Sequence, residues 1–481
     1  MIGGRDPAGA GSGAMDAVIA EIVDYVINPP PFSDAAYRMA RWVLADTLGV
    51  GIRALEDPAC RNVLGPIVPG VSVTDGCGVP GTSWRLDPVQ GAFTLGAMIR
   101  WLDYNDTWLA QEWGHPSDNL AAILMAADWE SRRRLALGHT PLTMGDVLRA
   151  MIQAYEIQGV LSLTNSLNRV GLDHVLFVKV ASTAVVTGLL GGTREQVANA
   201  LTLAFADNGP LRTYRHWPNT GTRKSWAAGD QASRAVWLSL MALRDEMGYP
   251  TVLSAPTWGF NDVVMRGQPL TLGQPLGCYV MERVLLKLYP AEFHGQTAVE
   301  AAIQLSPTVQ GRIEAIDRIV IETQEAALRI INKTGPLTNP ADRDHCLQYM
   351  TAVALLYGTV TPAHYQDDAA QNPRIDQLRA RMVVQEDMAF SRDYLDPEKR
   401  SIGNRITVYF DDGSRRGPVT VEYPLGHARR RTEAEPMVWA KCAHNLRTGF
   451  VGPQVHRLLA MLQDEGLAAW PVPEFVNAWM R

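Results

Sequence analysis

Three stretches of the chain concentrate side chains that can move protons or hold anions. In the first, Trp101-Leu102-Asp103-Tyr104-Asn105-Asp106-Thr107 is followed by Gly114-His115-Pro116-Ser117, directly after an apolar helical run. Carboxylate and imidazole groups side by side are the equipment of general acid–base chemistry. Asp103 and Thr107 are four apart and share one face if the helix continues through them. The plainer alternative is a helix end, with Ser117 or Asp118 capping the next helix. In the second stretch, Asn168 to His174 opens an apolar run beginning at Val175, which places His174 at a helix N-terminus. The helix dipole there disfavours imidazolium, and a general base must be neutral before it acts. The plainer reading of His174 is a structural histidine.

The third stretch holds Arg212, Arg215, His216, Arg223 and Lys224. Arginine forks pair with carboxylates bidentately, and lysine adds a point charge, so the group suits a polycarboxylate or phosphate. The alternative is a solvated basic loop. Lys287, Glu292 and His294 flank Tyr289-Pro290, and Arg429 to Arg431 read as solvated surface. No G-x-S-x-G elbow, Walker A loop, H-E-x-x-H pair or Rossmann glycine fingerprint is present, so hydrolase, kinase, zinc-protease and dehydrogenase readings lose support.

These residues need a scaffold, and the composition supplies one. The 481 residues are 47% hydrophobic and 20% charged, which is ordinary for a globular protein with a large core. A formal net charge of -6 argues against a general nucleic-acid binder but not against small anions. The five cysteines, Cys60, Cys77, Cys278, Cys346 and Cys442, are scattered and form no C-x-x-C pair. That pattern points to free thiols in a reducing, cytoplasmic setting and away from an iron–sulfur cluster or structural zinc. Met1 to Ala14 is Gly/Ala-rich, lacks a signal-length apolar core and reads as a disordered tail. No apolar run of membrane-spanning length occurs.

The periodicity predicts helix after helix over residues 15–276. Ser33 caps one towards Leu48, Thr143 with Asp146 begins another, Thr193 with Gln196 forms a capping box, and Ser225 to Met247 stops at Gly248. After residue 276 the character changes to a smaller α+β domain spanning 277–431. Strands are expected over Ile316–Glu322, Asn404–Phe410 and Val419–Tyr423, with a hairpin at Asp412-Gly413 and helices over Asp342–Leu356 and Arg374–Met382. Helices over Met437–Leu446, Gln454–Leu462 and Pro473–Met480 are expected to return residues 432–481 to the helical domain.

At the level of long segments the chain resembles the MmgE/PrpD family from about Val18 to about Arg431. The likeness rests on Asp46-Thr47-Leu48-Gly49, the run from Leu86 to Leu120, NRVGLDHVLFVKVASTAVV, LRTYRHWPNTGTRKSWAAGD, YPAEFHGQTAVEAA, GPLTNPADRDHCLQYM and YPLGHARRR. It implies a mainly α protein, a large all-helical domain with a smaller α+β lid and the active site in the cleft between them. It further implies a homodimer and no metal or other cofactor. The expected reaction is metal-independent loss of water from 2-methylcitrate in propionate catabolism, with citrate and cis-aconitate as possible further substrates. Carried over by motif, the catalytic residues are Asp103, His115, His174, Lys224 and Lys287, and Thr107 contacts substrate. Arg212, Arg215 and His216 complete the expected substrate-binding set. His174 is expected as base, and His115, oriented by Asp103, as acid. Ala291-Glu292-Phe293, where many relatives carry cysteine, marks the dehydratase branch. Within the same family the alternatives are cis-aconitate decarboxylation or epimerisation of a dicarboxylate. Outside it the alternative is a non-catalytic polycarboxylate-binding protein.

Overall fold

The computed structural model describes residues 14–481 apart from Ser72, Asn208 and Trp217. All but Ala14 of the Gly/Ala-rich tail therefore lies outside the described residues. Among the described residues, seven helices of thirteen residues or more build most of the first domain beside the shorter Ala17–Ile27, and several of their starts follow from local side chains. Ser33 Oγ accepts the Ala36 amide at 3.0 Å to open Asp34–Ala54. Asp87 caps Pro88–Arg100, with proline at the first helical position, where its missing N–H costs nothing. Reciprocal Thr143/Asp146 and Thr193/Gln196 boxes open Met144–Thr164 and Arg194–Ala206, as the sequence predicts. Leu120–Ala136 and Val175–Leu189 lie at the centre, and the latter is buried at every position from Val175 to Thr187. A helix buried on every side, Lys179 included, has to be surrounded by other helices.

Pro88–Arg100 crosses the seventh helix, Arg223–Ala242, at a glycine pair. A Cβ on Gly96 would stand 2.5 Å from Gly229 Cα, so only glycine permits the approach. That crossing brings the last residue of one helix, Arg100, and the second residue of the other, Lys224, to the same cavity. A short antiparallel ribbon, β1 (Cys77–Gly78) and β2 (Arg85–Leu86), precedes the first of these two helices.

The smaller α+β domain is built on a four-stranded sheet of β3 (Ile316–Thr323), β4 (Met382–Glu386), β5 (Asn404–Phe410) and β6 (Arg415–Val421), in the order β4-β3-β5-β6. β3 and β4 are parallel and the other pairs antiparallel. Ile319, Ile321, Ile406 and Val408 pack with helices Gln296–Val309 and Leu347–Tyr357 in a core separate from that of the helical domain. The hairpin turns at Gly413, φ 79°, but its second strand begins at Arg415 rather than Val419. The helix expected to reach Met382 ends at Ala380, and Met382 opens β4, a strand not expected from the sequence. The helix expected over Asp342–Leu356 is broken into Pro340–Arg343 and Leu347–Tyr357.

After this domain, Arg431–Leu446 packs on Asp34–Ala54, with Lys441 2.8 Å from Asp46 Oδ1 and Cys442 Sγ bonded to the Ala45 carbonyl. The triple arginine, expected as solvated surface, is largely structural. Arg431 donates to the carbonyls of Gly426 and Val284, while Arg430 pairs with Glu300 and Glu433, each at 2.8 Å. Carbonyls where the chain crosses between domains are shielded from water and need such donors. Beside them Leu286 N bonds to Gly426 O at 3.1 Å, an approach so close that a Cβ on Gly426 would fall 1.7 Å from Leu286 O. All five cysteines are free. Among the described residues no helix is long and apolar enough to cross a membrane.

Candidate active site

A cavity of about 180 Å³ opens where the two domains meet, and all nine residues singled out from the sequence line it. Each arrives by a different route. The helix before Asp103 stops at Arg100, so Asp103 and Thr107 do not share a helical face; Asp103 instead takes a left-handed conformation, φ 47°. Aspartate tolerates that region better than most residues, and such strain clusters at functional sites. Thr107 exchanges backbone hydrogen bonds with Leu285 at 2.7 and 2.9 Å, tying the polar loop to the segment that carries Lys287. His115 precedes a short 3-10 turn, Pro116–Asn119, whose Ser117 donates to Asp106 Oδ1 at 2.6 Å rather than capping a helix. His174 sits immediately before Val175–Leu189. Arg212 and Arg215 come from the loop ahead of Arg223–Ala242, and His216 stands exposed at the mouth.

Around Asp103 the charges are densely paired. Lys287 Nζ, 1% exposed, donates to both the Asp103 carbonyl and Oδ1 at 2.9 Å, and Arg100 donates to the same oxygen. Burial works against ionised Asp103, but Arg100 and Lys287 outweigh it and hold its carboxyl well below the usual range. Lys287 is thus committed to Asp103 rather than open to a substrate carboxylate. Lys224 Nζ donates to Asp344 Oδ1 at 2.8 Å and to the Ala341 carbonyl at 3.2 Å. Asp103, Asp344 and His345 bring three ligand-type atoms within 4.8 Å of one another, but Lys287, Arg100 and Lys224 already donate to these carboxylates.

The two expected histidines differ. His115 Nδ1 lies 2.6 Å from the Asp106 carbonyl. A carbonyl only accepts, so Nδ1 carries the proton. Nε2 is then the acceptor, and it takes a hydrogen bond from Arg100 Nη2 at 2.8 Å. Asp103 Oδ1 is 3.9 Å from Nε2, so the Asp106 carbonyl and Arg100, not Asp103, orient this ring. Burial, Arg100 and Lys287 keep His115 well below the imidazole range. His174 lies edge-on to His115 with centroids 5.5 Å apart, and Asp173 Oδ1 is 3.0 Å from its Nδ1. Its Nε2 is buried with no hydrogen-bond partner among the described residues. Burial holds His174 well below its ordinary value, with Asp173 opposing and Arg215 and Arg212 reinforcing.

Free donor capacity is concentrated in the arginine loop. Arg212 Nε and Nη1 and Arg215 Nη2 are buried without partners among the described residues, whereas Arg215 Nε pairs with Asp173. Arg212 stacks on Trp113 at 5.4 Å and lies 4.0 Å from Glu112, whose carboxyl burial pushes up to about 7. Such a pocket binds an anion through preformed forks and polarises it without solvent competition.

Sequence reasoning missed Arg100, Trp113, Asp344, His345, Arg329 and Lys333, of which all but Asp344 line the cavity. A signal existed for two: Asp342-Arg343-Asp344-His345 is a charged run at the start of an otherwise apolar helix. Reading that helix as unbroken hid them, since Asp344 and His345 occupy the break. Arg329 and Lys333 approach from the smaller domain through the fold alone.

Profiles of the MmgE/PrpD N-terminal and C-terminal domains match residues 20–273 and 289–464. The 2-methylcitrate dehydratase of Salmonella typhimurium is 58% identical over 470 residues, 97% of each chain. That of Escherichia coli (strain K12) is 57% identical over 470 residues, again 97% of each chain. The mitochondrial 2-methylcitrate dehydratase of Yarrowia lipolytica is 49% identical over 471 residues, 97% of this chain and 90% of the relative. With both domain profiles in order and these identities across nearly the whole length, the chain belongs to the MmgE/PrpD family.

Proposed function

We propose that this chain eliminates water from 2-methylcitrate to give 2-methyl-cis-aconitate, a step of propionate catabolism. One arrangement carries the chemistry: the buried, neutral His174 with Nε2 unpaired, beside the unpaired N–H groups of Arg212 and Arg215. The substrate follows from relatives named 2-methylcitrate dehydratase at 57–58% identity. The arginines bind substrate carboxylates, with Thr107 and His216 completing the contacts. His174 Nε2 removes the proton from the methyl-bearing carbon, and the charge developing on the adjoining carboxylate is stabilised by fixed cations. Lys224 and Lys287 act on substrate through the carboxylates they hold. Leu109, Trp113, Phe293 and Ile330 form an apolar wall suited to the substrate's methyl group. We also place the chain in the cytoplasm, as its free thiols suggest, and as a homodimer. Support for the latter is the exposed apolar group of Tyr249, Trp258 and Val263, which line one surface hollow, Trp258 being 84% exposed. Apolar patches of that kind mark surfaces that another chain covers.

The test is ultraviolet absorbance of the conjugated product with purified protein, 2-methylcitrate and excess chelator. A rise that persists with chelator supports dehydration by the chain's own side chains. No rise, with carbon dioxide released from cis-aconitate or inversion of a dicarboxylate without mass change, moves the chain to another activity of the family. Tight binding without turnover makes it a polycarboxylate-binding protein. Light scattering at the mass of one chain would remove the dimer.

A further inference from the structure

Hydroxide is a poor leaving group, so the dehydration read above needs an acid that faces the cavity with a proton to give. The cavity's groups can be taken in turn. His115 has both ring nitrogens committed, Nδ1 to the Asp106 carbonyl and Nε2 to Arg100. His294 is likewise committed, with Nδ1 2.8 Å from Glu292 and Nε2 3.0 Å from Tyr394 Oη. Thr107 Oγ1 donates to the Asp106 carbonyl at 2.9 Å, and Lys287 and Lys224 are held by Asp103 and Asp344. One group is left. In the break between Pro340–Arg343 and Leu347–Tyr357, His345 Nδ1 lies 2.6 Å from Asp344 Oδ1. A carboxylate only accepts, so this contact puts a proton on Nδ1; Lys224 Nζ, 3.0 Å from the same nitrogen, then gives its protons to Asp344 and the Ala341 carbonyl instead. The nearest carboxylate to Nε2, Asp103 Oδ2, is 3.8 Å away, too far to engage it.

We propose that His345 is the catalytic acid of this reaction, protonating the departing hydroxyl through Nε2, with Asp344 as its positioning residue. The proposal rests on the dehydration reading. Base and acid then come from different domains, His174 from the helical wall and His345 from the smaller domain, with the substrate between them. The C–H electron pair becomes the new C=C bond as the C–O bond breaks. His174 gains the carbon's proton, His345 enters as imidazolium and gives its Nε2 proton to the hydroxyl oxygen while keeping the one on Nδ1, and water leaves. Exchange with solvent restores both rings, so no other reactant is needed. Burial lowers both histidines, so what charges His345 is the anion bound beside it. Burial and Lys224 lower His345, with Asp344 and Asp103 opposing, whereas His174 is held well below its ordinary value. A bound trianion favours the protonated form of His345 further.

The experiment compares 2-methylcitrate with its analogue bearing fluorine in place of the hydroxyl, because fluoride departs without a proton. His345→Gln is expected to slow loss of water by roughly 10²- to 10⁴-fold, while loss of fluoride stays within a few-fold of the unsubstituted protein. His174→Ala is expected to slow both. Near-normal dehydration by His345→Gln, or equal loss on both substrates, overturns the proposal. If the unsubstituted protein dehydrates nothing, the functional reading fails instead, and the two failures are distinguishable. Asp344→Asn supplies a second measurement should His345→Gln not fold. Losing the carboxylate that favours imidazolium is expected to move the alkaline limb of kcat/KM to lower pH, and an unmoved limb also overturns the proposal.

Discussion

Replacing Arg212 by methionine removes a guanidinium that the fold buries, at 8% exposure, without satisfying it. Methionine keeps a long apolar stem against Trp113. In the free protein the loss is small or favourable. Nε and Nη1 are unpaired, Glu112 is no closer than 4.0 Å, and that carboxyl, already pushed to about 7 by burial, can take up a proton once the cation is gone. With substrate bound, the same change deletes charge-assisted hydrogen bonds worth about 1.5–3 kcal/mol. That corresponds to a loss of roughly 10- to 150-fold in kcat/KM. Because the contact is made to a carboxylate present before and during reaction, most of the loss is expected in KM. The assay is steady-state absorbance over a range of 2-methylcitrate concentrations, paired with thermal unfolding of the free variant. Lower kcat/KM with an unchanged or raised Tm supports the reasoning. Unchanged kcat/KM, or a Tm that collapses, refutes it, since either would make Arg212 structural.

Four further predictions test other parts of the structure. His174→Ala is expected to fold and to lose about 10²- to 10⁴-fold in kcat, read by absorbance alongside circular dichroism; near-normal turnover removes its role as base. Because burial holds His174 well below the ordinary value, the acid limb of kcat/KM is expected below about pH 6.5, and a limb at or above that pH contradicts the neutral-base reading. Asp118, buried beside Asn105, has its carboxyl pushed up to about 7. A raised carboxyl contributes stability below the unfolded value of about 4 that is lost as pH rises through the folded value. Asp118→Asn should therefore match the unsubstituted Tm near pH 4 and exceed it increasingly up to about pH 7, and a difference independent of pH would refute this. Gly96→Ala places a Cβ 2.5 Å from Gly229 Cα and is expected to cost about 1–3 kcal/mol by overpacking. Denaturant unfolding at unchanged stability would show that the two helices separate easily.

Much of this protein is legible along the chain because the signals are local. Caps such as Ser33, Thr143 and Thr193 act within three or four residues, and the largely apolar run from Val175 reads as a buried helix. Some of the residues able to do chemistry were also visible, since histidine, aspartate, lysine and arginine are uncommon in apolar surroundings, but Asp344 and His345 were hidden in a helix read as unbroken. Strand β4 was not legible, because Met382-Val383-Val384-Gln385-Glu386 lacks clean alternation and gains its pairing only from β3.

Partnership is what the tertiary structure alone decided. The sequence singled out Asp103, His115, Lys224 and Lys287 as candidates; it did not determine that Lys287 would close on Asp103 from 184 residues away, or Lys224 on Asp344 from 120. Those long-range pairings fix which groups are spent and which stay free, leaving Arg212, Arg215, His174 and His345 with capacity to spare. The physical reason is range. Capping and periodicity are set by neighbours in sequence, whereas a side chain's protonation and its open hydrogen bonds are set by whatever the fold buries against it.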